Sequence, residues 1–256
     1  MSSSQPETVV GDFLEVLRLP GPDGLPRIIL AGQAVNVWAD RYLAVEPGLR
    51  EFLPFTSKDL DLLGDRWDLD ALARATGWPK RPAQQKIFIP SAGFLEMPRQ
   101  GRAPVKVEVL KRLYGVTTEE IRSAALVIEH EGVQLRVVHP ISLLEAKLHN
   151  AIHLPQQARH DVKHLKMMVL CVRGFLREKL VDVQAGRLSE RDCVGLCEKV
   201  LRLADSRTAA QAAKRHGINW TDALPLKELN ESTHTRLRNF AHKRLKRWME
   251  AQETRP

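Results

Sequence analysis

The pattern of this chain changes at Pro140, and that change limits the folds open to it more than any single motif does. Before Pro140, short β-branched-rich apolar runs are separated by Gly and Pro: Arg27 to Leu30, Lys58 to Leu63, Lys86 to Ile89, Val105 to Leu110, Ala124 to Ile128 and Val133 to Val138. Runs of this length and composition read as strands. Between them, Gln33 to Leu43 and Leu69 to Thr76 read as helices. After Pro140, Gly and Pro become scarce and apolar residues recur at helical intervals, as at Leu143, Leu144, Leu148 and Ile152. Helices are expected over 159–180, 189–204, 208–216 and 233–252. Ser189 suits an N-cap, with Asp192 where a capping box usually has Glu or Gln. A domain of strands and helices over 1–139, followed by a helical domain over 140–256, accounts for both patterns.

A chain of 256 residues buries about three-quarters of its extended surface, in one large or two modest domains. No apolar run approaches the roughly 20 residues needed to span a bilayer. The start, Met-Ser-Ser-Ser-Gln-Pro-Glu, lacks the basic and apolar regions of a secretion signal. Cys171, Cys193 and Cys197 form no CxxC pair, so reduced thiols and a cytoplasmic location are expected. Cys193 and Cys197, one helical turn apart, suit a core better than a metal site. The net charge of +8 favours a polyanionic partner, a weak signal because many basic proteins bind none.

Within the first half, Asp59-Leu60-Asp61 carries the strongest chemical signal. On a strand, both carboxylates point one way while Leu60 and Leu62 point the other. Like charges on one strand face repel, so the arrangement signals either a cationic occupant or a solvated edge strand. Upstream, Arg27 to Trp38 reads as a strand, a tight turn at Ala31-Gly32 and a helix. A turn of that kind is an anion cradle suited to phosphate, although many α/β proteins make it for structural reasons. Downstream, Glu108 sits between Val107 and Val109 and faces away from their side of the strand. Three carboxylates on neighbouring strands can hold two Mg²⁺ ions about 3.5–4 Å apart, one activating a hydroxyl and one offsetting charge on departing pyrophosphate. In-line phosphoryl transfer needs little beyond positioning and charge compensation.

The order Ala31-Gly32-Gln33-Ala34, then Thr56-Ser-Lys-Asp-Leu-Asp61, then Val107-Glu-Val109 resembles the nucleotidyltransferase superfamily with a polymerase-β-like core. Pro140 to Leu148 and Arg159 to Leu165 resemble the lysine helix and following Arg/Asp helix of its AbiEii-type members, the toxin halves of bacterial toxin–antitoxin and abortive-infection pairs. The resemblance covers about Ile28 to Met168. It implies an α+β fold, a mixed sheet flanked by helices and followed by a C-terminal helical domain. It also implies that Asp59, Asp61 and Glu108 are metal ligands and that Glu108 helps activate the acceptor hydroxyl. Ala31, Gly32, Gln33 and Lys58 would lie at the nucleotide, Lys147 would neutralise its phosphates, and Arg159 and Asp161 would border the nucleotide or acceptor pocket. Three positions depart from the family pattern. Ala31 replaces the first residue of a Gly-Gly or Gly-Ser pair, Glu108 replaces the commoner Asp, and His164 replaces the second acid of a Dxx[DE]-like motif. The last leaves the role of Asp161 open.

Other features admit plainer readings. Lys147 lies on the polar side of its helix, the usual place of a solvated lysine. His149/His153 and His160/His164 have the i,i+4 spacing of zinc or di-iron ligands, but there is no HExxH and chance pairs are common. His160-Asp161 resembles the pair of HD-type metal phosphohydrolases, without the further His and Asp partners those need. The stretch from His234 to Trp248 carries no acid, and its cations lie mostly off an apolar stripe. It reads both as a closing helix that covers the core and as a face for nucleic-acid phosphates. The five tryptophans are too scattered to form a base-stacking platform.

The expected activity is Mg²⁺-dependent transfer of a nucleoside monophosphate from an NTP to a hydroxyl of RNA, such as a tRNA end, with a cognate antitoxin as partner and no membrane. Protein and small-molecule acceptors stay open. The alternative is a non-catalytic protein of the same fold that binds RNA or a partner protein.

Overall fold

The computed structural model describes residues 7–83, 90–157 and 159–253. Its strands are β1 (Ile28–Leu30), β2 (Asp59–Leu63), β3 (Lys80–Pro82), β4 (Ser91–Arg99), β5 (Arg102–Leu110), β6 (Leu126–His130) and β7 (Val133–Val137). Its α-helices are α1 (Leu14–Leu17), α2 (Ala31–Tyr42), α3 (Arg66–Thr76), α4 (Thr118–Ala124), α5 (Pro140–His153) and α6 (Asp161–Gln184), then α7 (Glu190–Ala204), α8 (Arg207–His216), α9 (Leu226–Asn230), α10 (Thr235–Asn239) and α11 (Lys246–Glu253). The fold is α+β: a mixed sheet with flanking helices, then helices alone among the described residues. No described helix is long and apolar enough to cross a membrane.

The seven strands form one sheet in the order β3-β4-β5-β2-β1-β7-β6. β2 runs parallel to β5 and antiparallel to β1, which runs parallel to β7. Register follows from burial. Leu60 pairs with Val107 and Leu62 with Val109, while Leu95 and Met97 of β4 pair with Val107 and Val105. All of these side chains are buried on one face. Slipping any strand by one residue would turn that face outward. Leu69 and Leu72 of α3, both fully buried, supply apolar cover. α3 starts earlier than its apolar spacing indicates because Asp65 caps it, accepting from the amides of Trp67 at 2.7 Å and Asp68 at 3.2 Å.

The strand expected at Lys86 to Ile89 lies outside the described residues. β4 itself, Ser91–Arg99, is not expected from the sequence, since Gly93 and Pro98 interrupt its pattern. Register shifts between Ser91 and Gly93 and between Met97 and Arg99 absorb both. Gly93 has φ +139°, and a Cβ there would lie 2.5 Å from the Arg81 carbonyl oxygen and 2.6 Å from Leu69 Cδ2.

The chain divides into two compact units: residues up to Arg41 with Arg50–Lys147, and Tyr42–Leu49 with Leu148 onward. In the second, Glu46 is fully buried and accepts from Arg173 Nη2 and Arg177 Nη1, each at 2.6 Å. Ser189 caps α7 as expected, accepting from the Asp192 amide at 3.1 Å.

Candidate active site

The centre arises from two adjacent parallel strands. β2 reads Asp-Leu-Asp-Leu-Leu, so the requirement that Leu60 and Leu62 face the core sends Asp59 and Asp61 to the opposite face. On β5, Val107 and Val109 impose the same choice on Glu108. The register pairs Asp61 with Glu108 and Asp59 with Lys106. One oxygen from each of Asp59, Asp61 and Glu108 lies within 4.8 Å of the other two. Among the described residues this is the one cluster of three or more potential metal ligands. Asp61 is buried, and Asp59 and Glu108 are half-buried.

Burial, and secondarily the Asp59 charge, raises the Glu108 pKa above the ordinary glutamate value; a hydrogen bond with Ser91 and the Lys106 ammonium pull the other way. Loss of water around the carboxyl is the larger cause and the neighbouring Asp59 carboxylate the smaller. Three clustered carboxylates offer the hard oxygen donors that suit a divalent cation.

The turn at the end of β1 is tighter than expected. Leu30 pairs with Asp61 across the sheet, and α2 begins at the next residue, Ala31, which takes φ +49°. One non-glycine residue in the left-handed region thus makes the whole strand-to-helix turn. Gly32 is buried in the first turn of α2. Gln33 has structural work: its Nε2 donates to the Thr8 carbonyl at 3.2 Å and the Thr8 hydroxyl at 3.1 Å, and its Oε1 accepts from Asn36 at 3.2 Å. Thr8 in turn pairs with Ser57 by two backbone hydrogen bonds, which ties α2 to the segment entering β2. Lys58, half-buried, immediately precedes that strand.

Lys147 is not the solvated lysine its place on the polar side indicates. It is 4% exposed, on a helix buried on almost every side. Arg159 and Asp161 belong to the second unit, where Arg159 Nε donates to Asp161 Oδ2 at 2.6 Å and Asn150 Nδ2 to Asp161 Oδ1 at 3.4 Å. Asp161 and His164 are both buried. The His149 and His153 rings stack at 5.6 Å and those of His160 and His164 tilt at 6.1 Å. Burial and then the nearby His153 lower the His149 pKa. Neither pair belongs to a three-ligand group among the described residues.

Lys106 and Phe94 share the acid face and are not among the residues expected there. Phe94 pairs with Glu108 across β4 and β5, and Lys106 Nζ lies 4.7 Å from the Phe94 ring centroid. Alternation within Val105 to Leu110 places Lys106 on the Glu108 side, so that residue is accessible to sequence reasoning; Phe94 is not, because its strand has no clear alternation to mark it.

No protein-family model matches the chain, and no curated protein matches it either. Among solved structures, the chain is similar to an antigenic nucleotidyltransferase-like protein from Paracoccidioides brasiliensis, at 13% identity and a TM-score of 0.35 over 74% of this chain and 84% of that one. A likeness that distant assigns this chain neither a fold nor an activity.

Proposed function

We propose that the chain is a Mg²⁺-dependent nucleotidyltransferase. It moves a nucleoside monophosphate from an NTP to a hydroxyl of RNA, a tRNA end in the narrower reading, and serves as the toxin of an AbiEii-type toxin–antitoxin pair. The observation that carries this reading is the convergence of Asp59, Asp61 and Glu108 oxygens within 4.8 Å. These three carboxylates would hold the metal, which supplies the positive charge that phosphoryl transfer demands.

The remaining steps belong to the chain's own groups. The acceptor oxygen forms a bond to the α-phosphorus, and the bond from that phosphorus to the bridging oxygen breaks, with pyrophosphate leaving on that oxygen. Glu108, on the same strand face as Asp59 and Asp61, is placed to help activate the acceptor hydroxyl. Lys106, opposite Asp59 in the register, and Lys147 are the cations suited to triphosphate charge. At Ala31 and Gly32 the helix start offers backbone to the phosphates.

The test incubates the protein with Mg²⁺, labelled NTPs and total RNA. Label moves to RNA with the wild type and not with Asp59→Ala or Asp61→Ala. RNA binding without any transfer, unchanged by those substitutions, would overturn the enzymatic reading in favour of a non-catalytic binder. A gene for a small DNA-binding protein immediately upstream supports the toxin role, and an isolated gene counts against it.

A further inference from the structure

The residues from Ser232 to Met249 contain no acid, and the helix they build uses its two sides differently. α10 continues through a π-helical segment, Phe240–Leu245, into α11. Leu237, Phe240, Ala241, Leu245 and Trp248 are buried on the inner side. On α7, Glu190 accepts from the Arg236 amide at 2.7 Å and Glu198 pairs with Arg244 at 3.4 Å; just after that helix, Asp205 accepts from Trp248 Nε1 at 3.0 Å. Three acids on or just after α7 are therefore engaged by the closing helix. Arg236, Arg238, Lys243, Lys246 and Arg247 are exposed, and among the described residues none of them has an ion-pair partner.

We infer that this outer face of α10–α11 is where the protein holds the phosphate backbone of RNA. The inference rests on RNA as the acceptor and adds the surface that binds it. Cations three or four positions apart, as at Lys243, Lys246 and Arg247, repel one another, and a helix needed only to close the core gains from interleaved acids instead. A polyanion relieves that repulsion and releases its own counterions. A bilayer suits the face less well. An interfacial helix inserts its apolar side into lipid, whereas here that side is already buried in protein and no large apolar residue of the helix is exposed. Phe240 and Trp248 are buried and His242 is the one exposed ring of the helix, too little for a base-stacking platform, so the contact is chiefly to phosphates and largely independent of base sequence.

The test uses the full chain in EDTA without NTP, a fluorescent single-stranded RNA of mixed sequence, and anisotropy titrations across a salt series. Replacing Arg238, Lys243, Lys246 and Arg247 together by Gln makes the slope of log K against log salt shallower by about 3, at roughly 0.7 for each phosphate no longer neutralised. It also weakens binding at least tenfold at about 0.1 M salt. The paired variants Arg238→Gln/Lys243→Gln and Lys246→Gln/Arg247→Gln each remove about half of that slope, which keeps the test open if the fourfold variant folds poorly. Binding unaltered in these variants, at unchanged heat-unfolding midpoint, overturns the proposal and leaves the metal site standing. The titration in EDTA without NTP reads RNA binding apart from transfer, so failure of the catalytic reading registers separately, in the label-transfer assay. Attachment to phosphatidylglycerol vesicles without binding to the RNA assigns the face to a membrane and also overturns it.

Discussion

Glu108→Gln removes one negative charge from the acid cluster while keeping the side chain's size and an oxygen for Ser91. Two unit charges at 4.8 Å, the upper limit of the separations here, repel by about 3.5 kcal/mol at an effective dielectric of 20. Half-exposure and the Lys106 ammonium reduce what is realised to about 1 kcal/mol. In EDTA the variant therefore melts about 2–4 °C above the wild type, the shift expected for a chain of this size. The gap depends on pH. The Glu108 pKa is raised by folding, so the stability linked to its neutral form is fully present below the unfolded carboxyl value and is lost as pH rises through the folded one. Only the wild type carries that penalty, and the difference opens with rising pH. Mg²⁺ reverses the order: at a hundred times its Kd it adds about 2.7 kcal/mol to the wild type and much less to a variant with a ligand missing. Thermal melts in EDTA and across a Mg²⁺ series, from acid to neutral pH, read both effects. A variant that melts at or below the wild type in EDTA, or the same response to Mg²⁺ in both proteins, would refute the reasoning.

Three further substitutions test the scaffold. Ala31→Gly relieves the left-handed backbone at φ +49°, worth about 1–2 kcal/mol less the entropy glycine adds to the unfolded chain; a net gain of about 0.5 kcal/mol is expected in urea titration. Gly93→Ala meets the Arg81 carbonyl oxygen at 2.5 Å in a backbone conformation alanine resists; a loss of at least about 2 kcal/mol is expected by the same method. Glu46→Ala removes the fully buried partner of Arg173 and Arg177; Arg177 keeps Glu228 at 2.7 Å, and a loss of about 2 kcal/mol is expected in guanidinium unfolding.

The acid face was legible because Leu60, Leu62, Val107 and Val109 leave their strands one way to lie. That Asp61 would stand beside Glu108 was not, since periodicity fixes which face a residue takes but not which strands are neighbours. β4 is hard to discern because Gly93 and Pro98 break its alternation, and only the paired strand shows that shifts in register absorb them. Lys147 misleads for a related reason: apolar spacing marks a preferred face, and α5 is buried almost all round, so its polar side is enclosed too. Gln33 carries no sequence mark of its partner, because Thr8 reaches it only through the fold.

The parallel pairing of β2 with β5 decides which inherited length changes this protein can survive. Residues gained or lost in the segments joining the two strands leave Asp61 and Glu108 opposite each other, so long as both strands still reach the sheet. A single codon deleted between Val105 and Glu108 swaps the sides of the earlier part of β5 relative to the later part, and sets a valine against Asp61 or a carboxylate against the leucines. Drift among descendants of this gene should accordingly accumulate indels around β3 and the start of β4 while sparing the few positions of these two strands.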